Sequence, residues 1–262
     1  MITLITPAYN VEKTILKLYE NLKPLICNDI KWIIVNDKSI DNTKAIITEI
    51  KKENTNITSF DLKENNGPQY ARYYGILKSN TDLIFLLDAD DFIYEKNFKA
   101  FLEFIQKSPK YDFYFSIIHS VNREELFSSN TKFEENKIIE IKQPTDFIVH
   151  SFPHPSSLVI NRNFYLDIYK ECNLTWGEDI YMYLLLSQYG NGVRWIYPVS
   201  CYINNGSGRG SKISLNSRLK LSASLFKQSL AIKKINSLLF SLYMSFRFTL
   251  SYFYKKVKRV IP

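Results

Sequence analysis

The first ninety residues alternate short apolar runs with stretches of helical spacing, and that alternation restricts the fold more than any other feature. The runs are "MITLIT", "IKWIIV", "ITSF" and "DLIFLL", and each breaks into a polar loop. The first is expected to stop at Pro7, as a buried strand meeting a loop does. Between the runs, "VEKTILKLYENLKPL" sets Ile15, Leu18 and Leu22 at helical spacing and closes at Pro24. "NTKAIITEIKKE" follows the second run with Asp41 placed to cap it, and "GPQYARYYGILKS" carries Pro68 in its first turn. Strands alternating with helices through short loops predict an α/β fold: a parallel sheet with helices on both faces. Ligands of such sheets bind beyond the carboxyl ends of the strands. The polar clusters Tyr9-Asn10, Asn36-Asp37 and Asp88 to Asp91 all fall at such ends.

The later sequence is less regular. "FYFSIIHSV" and "KIIEI" read as strands, "PSSLVINRNFYLDIYKE" as a strand and then a helix, and "EDIYMYLLLSQYG" as a helix ended by Gly190. With 262 residues and 45% hydrophobic content the chain can bury a full core, which excludes general disorder. The expected division is a catalytic-type domain over residues 1–210, with halves 1–110 and 111–210, and a basic tail over 211–262. Cys27, Cys172 and Cys201 form no CxxC pair. With a strand starting at Ile2 leaving no room for a leader, they are expected to be reduced thiols in a cytoplasmic protein.

"DLIFLLDADDF" runs a buried strand straight into Asp88, Asp90 and Asp91. Ionised carboxylates crowded at a strand end repel one another and lose solvation, so a cation is expected there. A turn starting at Asp90 would gather two or three of them. Mg²⁺ and Mn²⁺ take few protein carboxylates and complete their shells with water and phosphate oxygens, so the cluster suits a metal-bound diphosphate. The plainer alternative is a solvated acidic turn.

"TPAYN" (6–10), "VNDKSIDNT" (35–43), "NNGPQYARYYGI" (65–76), "LLDADD" (86–91) and "WGEDIYM" (176–182) occur in an order that resembles the family 2 glycosyltransferases, whose fold is GT-A. The resemblance covers roughly residues 1–210. It implies a nucleotide-sugar site with Pro7, Ala8 and Tyr9 at the base, Tyr9 stacking, and Asp37 accepting a hydrogen bond from the base. Gly67 would supply a permissive turn and Arg72 would reach the nucleotide. Asp88, beside Ala89, would meet the ribose, while Asp90 and Asp91 would hold Mn²⁺ or Mg²⁺ with the diphosphate. Asp179 would act as general base in an inverting transfer from a nucleotide-diphospho-sugar, UDP favoured, to a hydroxyl of a glycan acceptor. Asp179 would equally serve as a helix cap. The family often has Asp-Asp-Gly-Ser where this chain has Asn36-Asp37-Lys38-Ser39. Weaker candidates near the acceptor or diphosphate are His154, Trp176 and Glu178, with Arg209 and Lys212 of the Gly-rich "NNGSGRGSK".

All 26 acidic residues lie at or before Asp179, whereas thirteen of the 34 cations follow it. Basic tails seek phosphate-bearing partners. "INSLLFSLYMSFRFTLSYFY" (235–254) holds one charge, Arg247, between basic flanks. Arg247 and a weakly polar stripe of Ser237, Ser241, Ser245 and Thr249 argue against a membrane span. The expected arrangement is a helix lying on an anionic membrane surface through residues 213–262, peripheral on the inner face. Packing on the catalytic domain or on a second subunit, as in a homodimer, is the other reading. This location points to a lipid-linked acceptor in surface polysaccharide assembly. Nucleic acid is not an expected partner, because the tail is too hydrophobic for a phosphate-tracking arm. Two rival classes remain. A nucleotidyltransferase would want a Gly-rich basic first loop, which "TPAYN" is not, and a non-catalytic glycan- or nucleotide-binding relative would be expected to have lost Asp90, Asp91 or Asp179.

Overall fold

A computed structural model of the chain describes residues 1–108, 111–121, 138–150, 152–169, 174, 176–203 and 213–258. The four apolar runs form β1 (Ile2–Ala8), β2 (Ile30–Asn36), β3 (Ile57–Asp61) and β4 (Leu83–Leu86). They lie side by side in the order β3-β2-β1-β4, all parallel, with Ile5 of β1 opposite Ile33 on one side and Leu86 on the other. Helices α1 (Ile15–Leu22), α2 (Thr43–Glu53) and α3 (Gly67–Lys78) supply the crossovers. β1, β2 and β4 are buried on both faces, which is why their sequences are nearly continuous in apolar residues, whereas the edge strand β3 exposes Thr58 and Asp61.

Three details differ from the expectation. β1 passes through Pro7 to Ala8, with Pro7 opposite Val35. Pairing with β4 has already ended at Ile5 and Leu86, so the missing Pro7 amide costs no ladder bond there. Helix α1 starts at Ile15 rather than Val11, after a turn in which the Thr14 and Ile15 amides donate to the Val11 carbonyl. The N-cap position of α2 is Asn42, not Asp41. The Asp41 carboxylate accepts from the amides of Thr43 (3.0 Å) and Glu12 (3.2 Å), and so ties the loop after β1 to the loop after β2.

Beyond β4 the chain forms β5 (Asp91–Ile93), α4 (Glu95–Lys107), β6 (Phe113–Val121), β7 (Ile138–Ile141), α5 (Asp146–His150), one 3₁₀ turn (Pro155–Ser157), β8 (Leu158–Asn161), α6 (Arg162–Ile168), α7 (Glu178–Tyr189) and β9 (Gly192–Ile203). The sheet continues β4-β8-β6-β9-β5, with β7 also on β9. Strand β8 runs antiparallel to β4 and β6, and β5 and β7 run antiparallel to β9, so this half is mixed while the motif-bearing half is parallel. β5 and β9 were not anticipated from sequence. β5 has three residues and no period to read, and β9 interrupts its apolar pattern with Arg194, Pro198 and Ser200.

The sheet separates two cores. One lies under α1, α2 and α4, with Leu18, Leu22, Ile47, Phe98 and Phe101 inside it. The other lies under α3, α6 and α7 and extends to Leu221 and Leu225 of α8 (Leu215–Ile232) and Phe240 and Met244 of α9 (Ile235–Lys258). The last two helices therefore form a hairpin seated on α7. Ser229 on α8 donates to the Ser237 carbonyl (2.9 Å) and bonds the Ser241 hydroxyl (2.8 Å), so the serine stripe of α9 faces inward. The opposite face of α9 exposes Ile235, Leu239, Leu242, Tyr243, Phe246 and Leu250. Among the described residues no helix is long and apolar enough to cross a membrane.

Candidate active site

A cleft of about 710 Å³ opens beyond the carboxyl ends of β1, β2 and β4. Its walls bring together the end of β1 (Pro7, Ala8, Tyr9), Asp37 after β2, Gly67 and Arg72 of α3, and Asp88, Ala89 and Asp90 after β4. These are the nine positions to which the sequence motifs pointed for a nucleotide-sugar. Tyr9 is 46% exposed, which leaves its ring open to the cleft.

Asp37 joins the loop after β2 to the start of α3. Its carboxylate accepts from the amides of Asn66 (2.9 Å) and Gly67 (2.8 Å). Burial pushes its pKa up, and those two amides oppose the shift. Gly67 has φ +84°, a conformation that glycine adopts without the penalty a side chain brings. Lys38 next to Asp37 also has positive φ (59°) and is exposed. The Asn36 amide side chain donates to Asp61 (2.7 Å) while its oxygen accepts from the Ser39 amide (3.1 Å), so an uncharged residue keeps this loop anchored.

The acidic stretch divides in a way its sequence did not show. β4 stops at Leu86, and Asp91 is already the first residue of β5, opposite Tyr202. Asp90 faces the cleft, whereas Asp91 is 3% exposed. Pairing with β9 turns Asp91 inward, beside Asp88 and His154, so two of the three expected carboxylates gather there with an imidazole while Asp90 lines the cleft. Asp88, Asp91 and His154 each offer a ligand atom, and the atoms lie within 4.8 Å of one another.

Ser156, in the 3₁₀ turn, holds this group in place. Its hydroxyl donates to Asp91 and accepts from the Asp88 amide (2.9 Å), while its own amide donates to His154 Nδ1 (3.2 Å). Burial, with the charges of Asp88 and Asp90, raises the Asp91 pKa to about 8. Burial lowers that of His154, which keeps the imidazole neutral and fit to ligate. Asp88 pairs with Arg72 at 2.5 Å. Burial of Arg72 works against its charge, but Asp88 more than offsets this and holds the guanidinium above its ordinary range. Two carboxylates and an imidazole form a donor set that fits Mn²⁺ or Mg²⁺, Mn²⁺ better for the nitrogen.

At the far wall, Gly177 has φ +79° and occupies the N-cap position of α7. Asp179 is therefore the second helical residue and not the cap. Its carboxylate accepts from the Ile180 amide (2.8 Å). Burial and the neighbouring Glu178 raise its pKa to about 6. Glu178 is in the cleft wall, and Asp179 lies part-buried beside it. Trp176 packs edge-on against Phe248 of α9 at 4.9 Å, away from the cleft wall. Arg209 and Lys212 lie outside the described residues. The sequence reading missed Ser156 and Asn66, which act through contacts between distant segments, and Tyr183. Tyr183 lies one helical turn after Asp179, with its hydroxyl buried and unpartnered among the described residues.

The glycosyl transferase family 2 model matches residues 3–168, well over half of the chain and all of the cleft except its Leu174–Glu178 wall. The chain belongs to glycosyl transferase family 2. Among curated relatives of this family 2 chain, a teichoic acid poly(glycerol phosphate) polymerase of Staphylococcus epidermidis is 38% identical over 34% of the chain and 13% of its own length. The minor teichoic acid biosynthesis protein GgaB of Bacillus subtilis is 27% identical over 71% of the chain and 21% of its own length. A poly-beta-1,6-N-acetyl-D-glucosamine synthase of Staphylococcus aureus is 34% identical over 42% and 26%. The matched stretches thus cover no more than about a quarter of those relatives.

Among solved structures, S. aureus TarS 1-349 in complex with UDP-GlcNAc superposes with a TM-score of 0.68 at 18% identity, covering 86% of this chain and 66% of that one. A mannosyltransferase from Pyrobaculum calidifontis, in complex with GDP-Man and Mn2+, gives 0.58 at 14%, covering 93% and 73%. The fold is GT-A, with a parallel motif-bearing half.

Proposed function

We propose that this family 2 chain is an inverting, metal-dependent glycosyltransferase that moves a sugar from a nucleotide-diphospho-sugar, a UDP-sugar foremost, to a hydroxyl of a lipid-linked glycan in surface polysaccharide assembly. The observation that carries it is one cleft uniting Tyr9, Asp37 and the Asp88–Asp90 loop, with Glu178 in its far wall and part-buried Asp179 next in the chain. Binding of UDP-GlcNAc by the TarS structure supports the donor class. The names of the teichoic acid and glucosamine-polymer relatives support the acceptor class.

In this reading Tyr9 stacks on the base, worth roughly 1–3 kcal/mol. Asp37, fixed by two amides, takes the base N–H on its remaining lone pairs. A cation held by Asp88, Asp91 and His154, with Asp90 at the cleft face, would supply Lewis-acid stabilisation of the departing diphosphate. Asp179 takes the acceptor hydroxyl proton as that oxygen attacks the anomeric carbon and the carbon–oxygen bond to the diphosphate breaks. Single displacement inverts the centre. A base of pKa about 6 is ionised at neutral pH and close enough to it to accept a proton effectively.

The exposed apolar stripe on α9, with Lys233 and Lys234 before it and no acidic residue after Asp179, favours an anionic membrane surface as its partner, on the cytoplasmic side. A second copy of the chain is the competing occupant. The decisive assay is nucleotide release across a panel of nucleotide-sugars with Mn²⁺ or Mg²⁺, with and without acceptor, for the wild type and Asp179→Asn. The reading requires metal-dependent release that asparagine abolishes while donor binding is kept. Transfer undiminished in Asp179→Asn, or in chelator, would overturn it.

A further inference from the structure

Arg218 of α8 is a buried cation with no carboxylate partner among the described residues. It is 4% exposed. Burial lowers its pKa, and only the Tyr252 phenol, with no carboxylate beside it, acts against that shift. One terminal nitrogen donates to the Phe248 carbonyl (2.9 Å) and the Ser251 hydroxyl (2.8 Å) of α9. Its guanidinium plane lies over Trp176 at 5.2 Å and near Tyr252 at 5.8 Å, and its Nε is buried without a partner. A buried unpaired charge is destabilising, and an apolar residue of similar volume would remove that penalty. A chain that keeps such a group where simple packing would serve better is showing a functional constraint.

What Arg218 touches names the constraint. Trp176 and Gly177 lead directly into Glu178 and Asp179. Gly177 presses against Leu221, one turn after Arg218: a Cβ at that position would lie 2.4 Å from Leu221 Cδ2. The hairpin is itself fixed to α7, because Tyr181 donates to Gln228 (3.4 Å) and Lys234 donates to the Gln188 carbonyl (3.1 Å). We propose that Arg218 is a positioning residue: by clamping Trp176 between α8 and α9, it holds the turn that presents Asp179 at the start of α7. The inference rests on the reading of Asp179 as the base. It makes the C-terminal hairpin part of the catalytic apparatus and not an appendage.

The test is Arg218→Met and Arg218→Lys in the full chain, with Asp179→Asn alongside. The methionine variant is expected to melt close to the wild type, because relief of the charge's burial offsets the two hydrogen bonds and the ring contacts that are lost. Its kcat should fall on the order of 10–100-fold, as a misplacement of about 1 Å would cause, with the donor KM within about twofold. Lysine, which keeps the charge and a donor toward the Phe248 carbonyl, should recover part of kcat.

A loosened turn would also hydrate Asp179, moving the acidic limb of the kcat profile below pH 6. The groups acting on that carboxyl are Glu178 and Tyr183 on its own helix and Arg72 from α3. Wild-type kcat and profile in folded Arg218→Met, with Asp179→Asn inactive, would overturn the positioning role and leave the base intact. Full transfer by Asp179→Asn would instead overturn the base, and this inference with it.

Discussion

Asp179 carries a carboxyl raised from 3.8 to about 6, so ionising it inside the fold opposes stability. Below about pH 4 the folded and unfolded chains both hold the proton and there is no penalty. Between about pH 4 and 6 the unfolded chain ionises while the folded one keeps its proton, so stability falls as pH rises. Above 6 the loss is complete, and roughly two units at 1.36 kcal/mol each make it about 3 kcal/mol. That is an upper value, because the side chain keeps part of its exposure to water. Asp179→Asn removes the titration and still accepts the Ile180 amide.

The variant should therefore be up to about 3 kcal/mol more stable at pH 7.5, equally stable at pH 4, and inactive. The same pKa fixes the rate profile: about nine-tenths of Asp179 is ionised at pH 7 and one-tenth at pH 5, a roughly tenfold fall in kcat. A base of ordinary pKa would give a flat profile over that range. Urea denaturation at the two pH values, with kcat at saturating donor, reads both. Equal stabilities at pH 7.5 together with a flat profile would refute the argument.

The buried Asp91 should behave likewise at higher pH. Without metal, stability should fall by up to about 1.4 kcal/mol per unit between pH 5 and 8, and Asp91→Asn should flatten that slope in chemical denaturation. Mn²⁺ should raise the wild-type Tm more at pH 8 than at pH 5.5 and leave Asp91→Asn unchanged. Leu239→Glu with Phe246→Glu, on the exposed stripe of α9, should abolish sedimentation with anionic vesicles while nucleotide release continues; loss of dimers instead would identify a second copy as the partner. Removing residues 213–262 is a poorer test, because it uncovers the core around Leu221 and Phe240. Lys38→Gly should raise stability by about 0.5–1 kcal/mol, since the residue sits at φ 59° where the left-handed conformation costs a side chain roughly 1–2 kcal/mol. A lower Tm would show that the lysine makes a compensating contact.

The sequence by itself determined the parallel half of the sheet and the place of the cleft. β1, β2 and β4 are largely apolar because both faces are covered, and their polar ends stand where such sheets bind ligands. Motifs such as Tyr9, Asp37 and Asp88 are legible because each is local, a strand end running into its own loop. The inward turn of Asp91 was not legible, because it depends on β9, more than a hundred residues on in the chain. Nor was the hold of Ser156 on Asp88, Asp91 and His154, or that of Arg218 on Trp176. Tertiary structure alone decided these, for a side chain's partner is set by which distant backbone the sheet and the terminal hairpin bring against it. The same rule turned the serine stripe of α9 inward and its leucines outward: Ser229 needed hydroxyl partners that only a neighbouring helix supplies.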